Sequence, residues 1–222
     1  PALEGTIGQY AALADSTPLI VDGIGIVAEL PHTGSGDMPP SVRALLLDQL
    51  NVSMGAGLAS NNTQNIDAEA ILASDQVAAV ELRGIIPPLA RRGDSFDVVV
   101  SALPNSQATS IANGLLWTAD LKPAVTDLQG NTVAVARGAV FIPGAINRLA
   151  GKTPKDAVAA RKVLRSGIVL GGGHVTEDRP VRLQLYSPSG RIAQAIERLI
   201  NGRFPAVVPV ASADSDSIVT LT

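Results

Sequence analysis

At 222 residues the chain is long enough to bury a sizeable core, as one large or two small domains. Its net charge of -3, from 17 basic and 20 acidic residues, lacks the clustered basic excess that nucleic-acid binding requires, so no nucleic acid is expected as a partner. With a cysteine count of 0, disulfides, thiolate metal sites and cysteine nucleophiles are excluded together.

Hydrophobic residues make up 46% of the chain but aromatic ones only 3%, so the core has to be built from Ala, Val, Leu and Ile. No apolar run approaches the ~18 to 20 residues of a membrane span, because Gly, Pro or a charge interrupts each one, and no membrane span is expected. Pro1 stands first, with no methionine and no signal-like region, which predicts a processed or trimmed form from which any targeting segment is gone.

Residues 5 to 14 carry no clear period, and Pro18–Asp22 then reads as a short strand ending at Gly23. Gly23, Gly25 and Ala28 satisfy the spacing of a dinucleotide-binding turn, with Asp48 about twenty residues further on. That chemistry needs a helix whose N-terminus faces a pyrophosphate, and Pro31, Gly34, Gly36, Pro39 and Pro40 forbid one. A glycine-softened strand that approaches another backbone closely is the better reading, and no cofactor is expected. His32–Asp37 holds a His, a Ser and an Asp in one glycine-rich segment, whereas a catalytic triad draws them from separate rigid elements. Ser41–Leu50 predicts a helix, with Val42, Leu45, Leu46 and Gln49 on one face and two prolines before it. Residues 51 to 65 then read as a polar, glycine-containing excursion.

The stretch from Ile71 to Leu103 organises the chain. Val77–Arg83 reads as a strand, Pro87 and Pro88 break any helix, and Arg91–Asp94 supplies a turn. In Ser95–Ser101, Phe96, Val98 and Val100 fall on one face and Ser95, Asp97 and Ser101 on the other, the period of a half-buried strand. Pro104–Asn113 is a polar connection with room for a helical turn. Gly114–Thr118, Thr132–Ala136 and Ala139–Ile142 read as strands in quick succession, with turn composition at 128–131, which argues for antiparallel or mixed sheets over repeated βαβ units. Trp117, the lone tryptophan, is expected in the core ahead of a sugar-stacking role.

Residues 146 to 153 look like a linker, dividing a mainly β α+β domain at 1–150 from a small α+β module at 151–222. Thr153, Pro154 and Asp156 open a helix ending near Gly167. Ile168–Leu170 is apolar, Gly171–Gly173 reads as a bend, and His174 as a solvent-facing turn residue. Glu177 and Asp178 are neighbours in a turn and do not flank a bond as glycosidase acids must. Val181–Tyr186 alternates as a strand. A helix from Ser187–Pro188 to Gly202 is expected to bury Ile192, Ile196 and Leu199. Ala206–Val210 and Ser217–Leu221 read as closing strands.

The segment DQVAAVELRGIIPPLARRGDSFDVVVSALPNSQATSIANGLLWTADL, residues 75–121, resembles the flagellar P-ring proteins: a VAAV strand, a Pro-Pro corner, a DVxVS strand, an S-x-x-GGxLL segment and T-x-L. Val21–Asp37, Ser41–Val52 and Gly167–Asp178 resemble further family motifs, in order. Departures are Glu29–Pro31 where the family prefers Gly-Leu, one extra residue within His32–Asp37, and Ala112–Gly114 in place of a Gly-Gly pair. The family is longer at its C-terminus, and some relatives carry a cysteine pair that this chain lacks.

The resemblance implies a structural, non-enzymatic component of the flagellar basal body in the periplasm, forming a homo-oligomeric ring around the rod at the peptidoglycan layer beside the L-ring. The implied partners are other copies of itself, rod and L-ring proteins, and peptidoglycan. The fold expected from the residues is α+β: mixed or antiparallel sheets with few short helices, and a C-terminal ring-building-like module whose sheet edge and helix face suit head-to-tail contact. Arg191, Glu197 and Arg198 on the last helix, with Arg91, Arg92 and Asp94 at the corner, are the expected subunit-contact residues. The competing readings are a cell-wall hydrolase, a periplasmic binding module, and a ring subunit of another envelope machine.

Overall fold

The computed structural model describes residues 5–14, 16–57, 68–124, 130–143 and 164–221, with the backbone alone at 52–57. It is α+β and groups into two units, each assembled from separated stretches: Pro1–Leu19, Pro87–Arg91 and Asp178–Thr222 in the smaller, Ile20–Ile86 and Arg92–Glu177 in the larger. These units do not follow a cut after residue 150, because strand pairing recruits chain from both sides of it. The expected linker at 146–153, and all but the end of the helix expected from Thr153, lie outside the described residues.

The larger unit is a closed barrel. Its strands are β2 (Leu19–Ala28), β3 (Ala78–Ile86), β4 (Ser95–Ala102), β5 (Leu115–Pro123), β6 (Ala134–Ala139) and β7 (Ser166–Val175), joined in the order β2-β3-β4-β7-β6-β5. The period-2 pattern of residues 95–101 decides β4: Phe96, Val98 and Val100 are buried while Ser95, Asp97 and Val99 are exposed. β3 pairs with it antiparallel, Leu82 opposite Val100, across the proline corner. The inward face is filled by small and branched side chains, among them Val21, Val27, Val80, Leu82, Val98 and Leu116. Two helices, α1 (Pro40–Gly57) and α2 (Ala68–Ala73), cover the other face of β2 and β3, where Leu46, Leu50 and Leu72 pack on Ile26, Ala28 and Ala79. That cover is why β2 is apolar on both faces toward its end.

Glycine lets the barrel close. A Cβ on Gly23 would collide with the carbonyl of Asp120, and one on Gly25 would meet Ala119 and Leu82 at 3.0 and 3.1 Å. Glycines on two strands flank the Phe96 ring, Gly84 of β3 and Gly173 of β7, and a Cβ on Gly173 would lie 2.6 Å from it. The expected bend at Gly171–Gly173 is instead part of β7. The strand carries a bulge there, with Phe96 opposite Gly173 but Val98 opposite Val169. Gly171 adopts φ 58° and its N–H donates to Asp97 Oδ1 at 2.7 Å.

Other expectations change as well. The helix predicted to stop at Leu50 continues to Gly57, so the excursion begins later. Pro104–Asn113 forms turns without a helix, and the separate strand at 139–142 reduces to one bridge, Phe141 with Ile168.

The smaller unit is a four-stranded sheet in the order β1-β8-β10-β9, with β1 at Ala11–Ala14, β8 at Val181–Leu185, β9 at Ala211–Ala213 and β10 at Ile218–Leu221. A short 3-10 turn, Ile7–Gln9, precedes β1. α3 (Gly190–Arg203) starts with Ser189 as N-cap, its Oγ accepting from the Ile192 N–H, and packs Ala193 and Ile196 against Leu183, Leu185 and Val219. Leu199, expected inside, is half exposed. Ala206–Val210 is not a strand; β9 begins one residue later. Arg179 ties the three stretches of this unit together, donating to the carbonyls of Pro87 and Thr17 at 3.1 and 3.3 Å while its N–H bonds Ala90 O at 2.9 Å.

Gly84→Ala and Gly173→Ala each press a methyl into Phe96 and are expected to destabilise the protein by about 1–3 kcal/mol in chemical denaturation. Gly202→Ala, in α3 where a Cβ meets nothing within 4 Å, is expected to stabilise it by about 0.5–1 kcal/mol.

Candidate functional site

His32 stands in a turn after β2 with φ 54°, and its Nδ1 lies 2.9 Å from Asp75 Oδ2. Asp75 also accepts the Gly34 N–H through its backbone carbonyl at 2.8 Å. The pair therefore fastens the 32–36 loop to the chain entering β3. It does not make a catalytic dyad: both side chains are more than half exposed, and Ser35 Oγ accepts from the Asp37 N–H at 3.0 Å. Water at this surface screens the contact, which limits its worth to at most about 1 kcal/mol.

His174 lies in β7 between Ser95 and Val135, in a strand and not a turn. It borders a hollow of about 840 Å³ in the barrel unit, together with Trp117, Phe141, Leu170, Leu115 and Arg137. The lining is mainly apolar and among the described residues includes no carboxylate. Trp117 is half buried, packed against the cluster under α1 and reaching the hollow. Among the described residues no group of three or more His, Asp or Glu could hold a metal ion. Gly23 and Gly25 sit inside β2, which continues as strand to Ala28, so no pyrophosphate turn exists there. Glu177 and Asp178 are exposed in the loop before β8.

Arg191 and Arg198 are exposed two turns apart on one side of α3, and Glu197 is partly exposed beside them. Arg198 Nε donates to the Gln194 carbonyl at 3.2 Å, one turn back. Arg91 belongs to the smaller unit, and Arg92 and Asp94 to the larger, on either side of Gly93. The Gly93 N–H bonds Val175 O at 2.8 Å and Asp94 O accepts the Val175 N–H at 3.0 Å, so residues 93 and 94 are pinned to the end of β7, and Arg91, Arg92 and Asp94 are exposed.

Two polar devices carry no signal in the local sequence pattern. Arg83 reaches Asp22 at 2.8 Å across the barrel surface, and that hydrogen bond, with the charge of Asp22, raises the guanidinium above its usual pKa. Its charge state at neutral pH is unaffected, so the pair is positional. Asn201, at the end of α3, satisfies the backbone of Val210 and Ala211 on the edge of the neighbouring sheet. Neither assembles a nucleophile, a base and an oxyanion donor. Among the described residues no helix is long and apolar enough to cross a membrane.

A protein family described as flagellar P-ring protein matches residues 9–222. A flagellar P-ring protein of Rhizobium etli is 31% identical over 234 residues, covering 98% of this chain and 56% of its own length. One from Geobacter metallireducens is 31% identical over 196 residues, covering 86% of this chain and 48% of its own. One from Burkholderia mallei is 29% identical over 212 residues, with 90% and 51% covered. The chain thus spans about half the length of the curated relatives it matches. Matched from residue 9 to its last residue, the chain belongs to the flagellar P-ring protein family.

Proposed function

We propose that this chain is a structural subunit of the flagellar basal body, assembling with copies of itself into a ring around the rod in the periplasm at the peptidoglycan layer. The observation that carries the reading is the family match over residues 9–222, which takes in both units of the fold. The chemistry of the surface is in keeping with it. The two histidines are held by strand and loop structure, the polar side chains described above fasten backbone, and among the described residues no constellation of reactive groups competes for the role. The reading assigns the chain no catalysis and no cofactor. Peptidoglycan and the rod and L-ring proteins are its proposed neighbours.

Arg191, Glu197 and Arg198 on α3, and Arg91, Arg92 and Asp94 at the proline corner, are the proposed charged contacts between subunits. Exposed charges contribute little to folding, so their effect should fall on assembly. Negative-stain microscopy and sedimentation are expected to find arcs or rings of the chain. Reversing Arg191 and Arg198 to Glu should shift the population toward monomer while the unfolding free energy stays within about 0.5 kcal/mol of the parent. Unchanged assembly with collapsed thermal stability would instead put those arginines in packing within the subunit.

The hollow beside Trp117 favours one second reading, a periplasmic binding module. A strictly monomeric chain that binds muropeptide would support it. His32→Ala and His174→Ala are expected to leave assembly unaltered and to abolish no turnover; loss of a measured cell-wall hydrolysis rate in either variant would promote the enzyme reading.

A further inference from the structure

The two edges of the four-stranded sheet differ in character. At β9 the backbone is satisfied from within: Asn201 Oδ1 accepts the N–H groups of Val210 and Ala211, each at 2.9 Å, and its Nδ2 donates to Ala211 O at 2.8 Å. The strand has only 3 residues and follows Pro209, which has no N–H to offer. That edge is closed to further pairing.

The opposite edge has none of these protections. β1 is Ala-Ala-Leu-Ala, without charge, proline or bulge, and among the described residues pairs with β8 alone. Leu13 lies directly opposite Leu183, so it shares the face that α3 covers further along the sheet, yet it is 59% exposed. An uncharged edge strand with an uncovered leucine is a template for another strand.

The same unit carries a segment in the complementary condition. Ala206–Val208, between α3 and β9, makes no backbone hydrogen bond among the described residues. Val207 is fully exposed and Val208 is 72% exposed. Both are β-branched, the type that packs best on a pleated surface.

We infer that copies of this chain join by strand addition, residues 206–208 of one copy pairing along the β1 edge of the next. One of the two valines then falls on the Leu13 side and covers it, because neighbouring residues of a strand point to opposite faces. The segment runs directly into β9 at one edge of the sheet, and its acceptor is at the other edge. Donor and acceptor surfaces are therefore different, the contact is head-to-tail, and it repeats from copy to copy. This rests on the ring-forming reading above and specifies its junction.

The lack of native cysteine makes the junction directly testable. Opposed residues of neighbouring strands lie about 4.5–5.5 Å apart, within the reach of a disulfide. Chains carrying Ala12→Cys or Leu13→Cys are mixed with chains carrying Val207→Cys or Val208→Cys under mild oxidation, all four pairs being tried to cover the register. At least one pair is expected to give disulfide-linked heterodimer about tenfold above either homodimer, and the matching double variant a ladder of multimers. Sedimentation of the unmodified chain runs in parallel. Oligomers without an enriched pair would overturn strand addition and leave the ring reading standing. A double variant that bridges only within one copy would also overturn it. A chain monomeric at every concentration, with no enriched pair, would overturn both.

Discussion

Phe96 fills a space that Gly84 and Gly173 leave open on the two strands beside its own, and closure of the barrel depends on that fit. With aromatic residues at 3% of the chain, few side chains span a barrel interior, so one ring is set among valines, alanines and leucines. The backbones of neighbouring strands then have to come closer than most side chains allow. Gly23 and Gly25 permit this on β2, and the bulge at Gly171, held by Asp97, lets β7 turn between β4 and β6.

The small unit shows the same economy of reactive groups. Its polar side chains are spent on backbone: Ser189 on the start of α3, Asn201 on β9, Arg179 on the three chain stretches that meet around it. Its surface also carries charge on α3, the edge of β1 and exposed valines, and these are means of association.

Local pattern disclosed the elements whose stability is local. The alternation of residues 95–101, that of 181–186, and the helix in 190–203 are visible because burial on one face imposes a period on the chain itself. Partner choice leaves no such mark. Gly171–Gly173 has the composition of a bend, and whether it bends or lies flat is decided by Phe96, far away in the chain. Likewise the placing of β1 beside β8 joins the start of the chain to its last quarter, which no window of sequence discloses. Ala206–Val210 is the instructive miss. Its β-branched run is a fair signal of strand, and among the described residues no strand pairs with 206–208. The family resemblance, carried by in-order motifs, was legible from residues alone. The six charged residues proposed as contacts lie at the surface, where charge of any purpose is found.

The strength of the junction inferred at β1 bears on how a ring would form. Burying an exposed valine or leucine stabilises by about 1.5–3 kcal/mol, and a junction of this kind covers Leu13 and at most two valines. Joining two free molecules costs on the order of 4–15 kcal/mol in lost translational and rotational freedom. A single junction is therefore weak, and small arcs exchange subunits until the geometry closes. The final contact of a ring is intramolecular and escapes most of that cost, so the closed state gains over every open one. In a closed ring each copy donates once and accepts once, and no β1 edge is left bare to recruit a wrong strand. A weak junction repeated round a circle thus suits a chain that has no disulfide to lock it and no buried charge to specify it, and it makes contacts from any further part of the protein additive to the same closure.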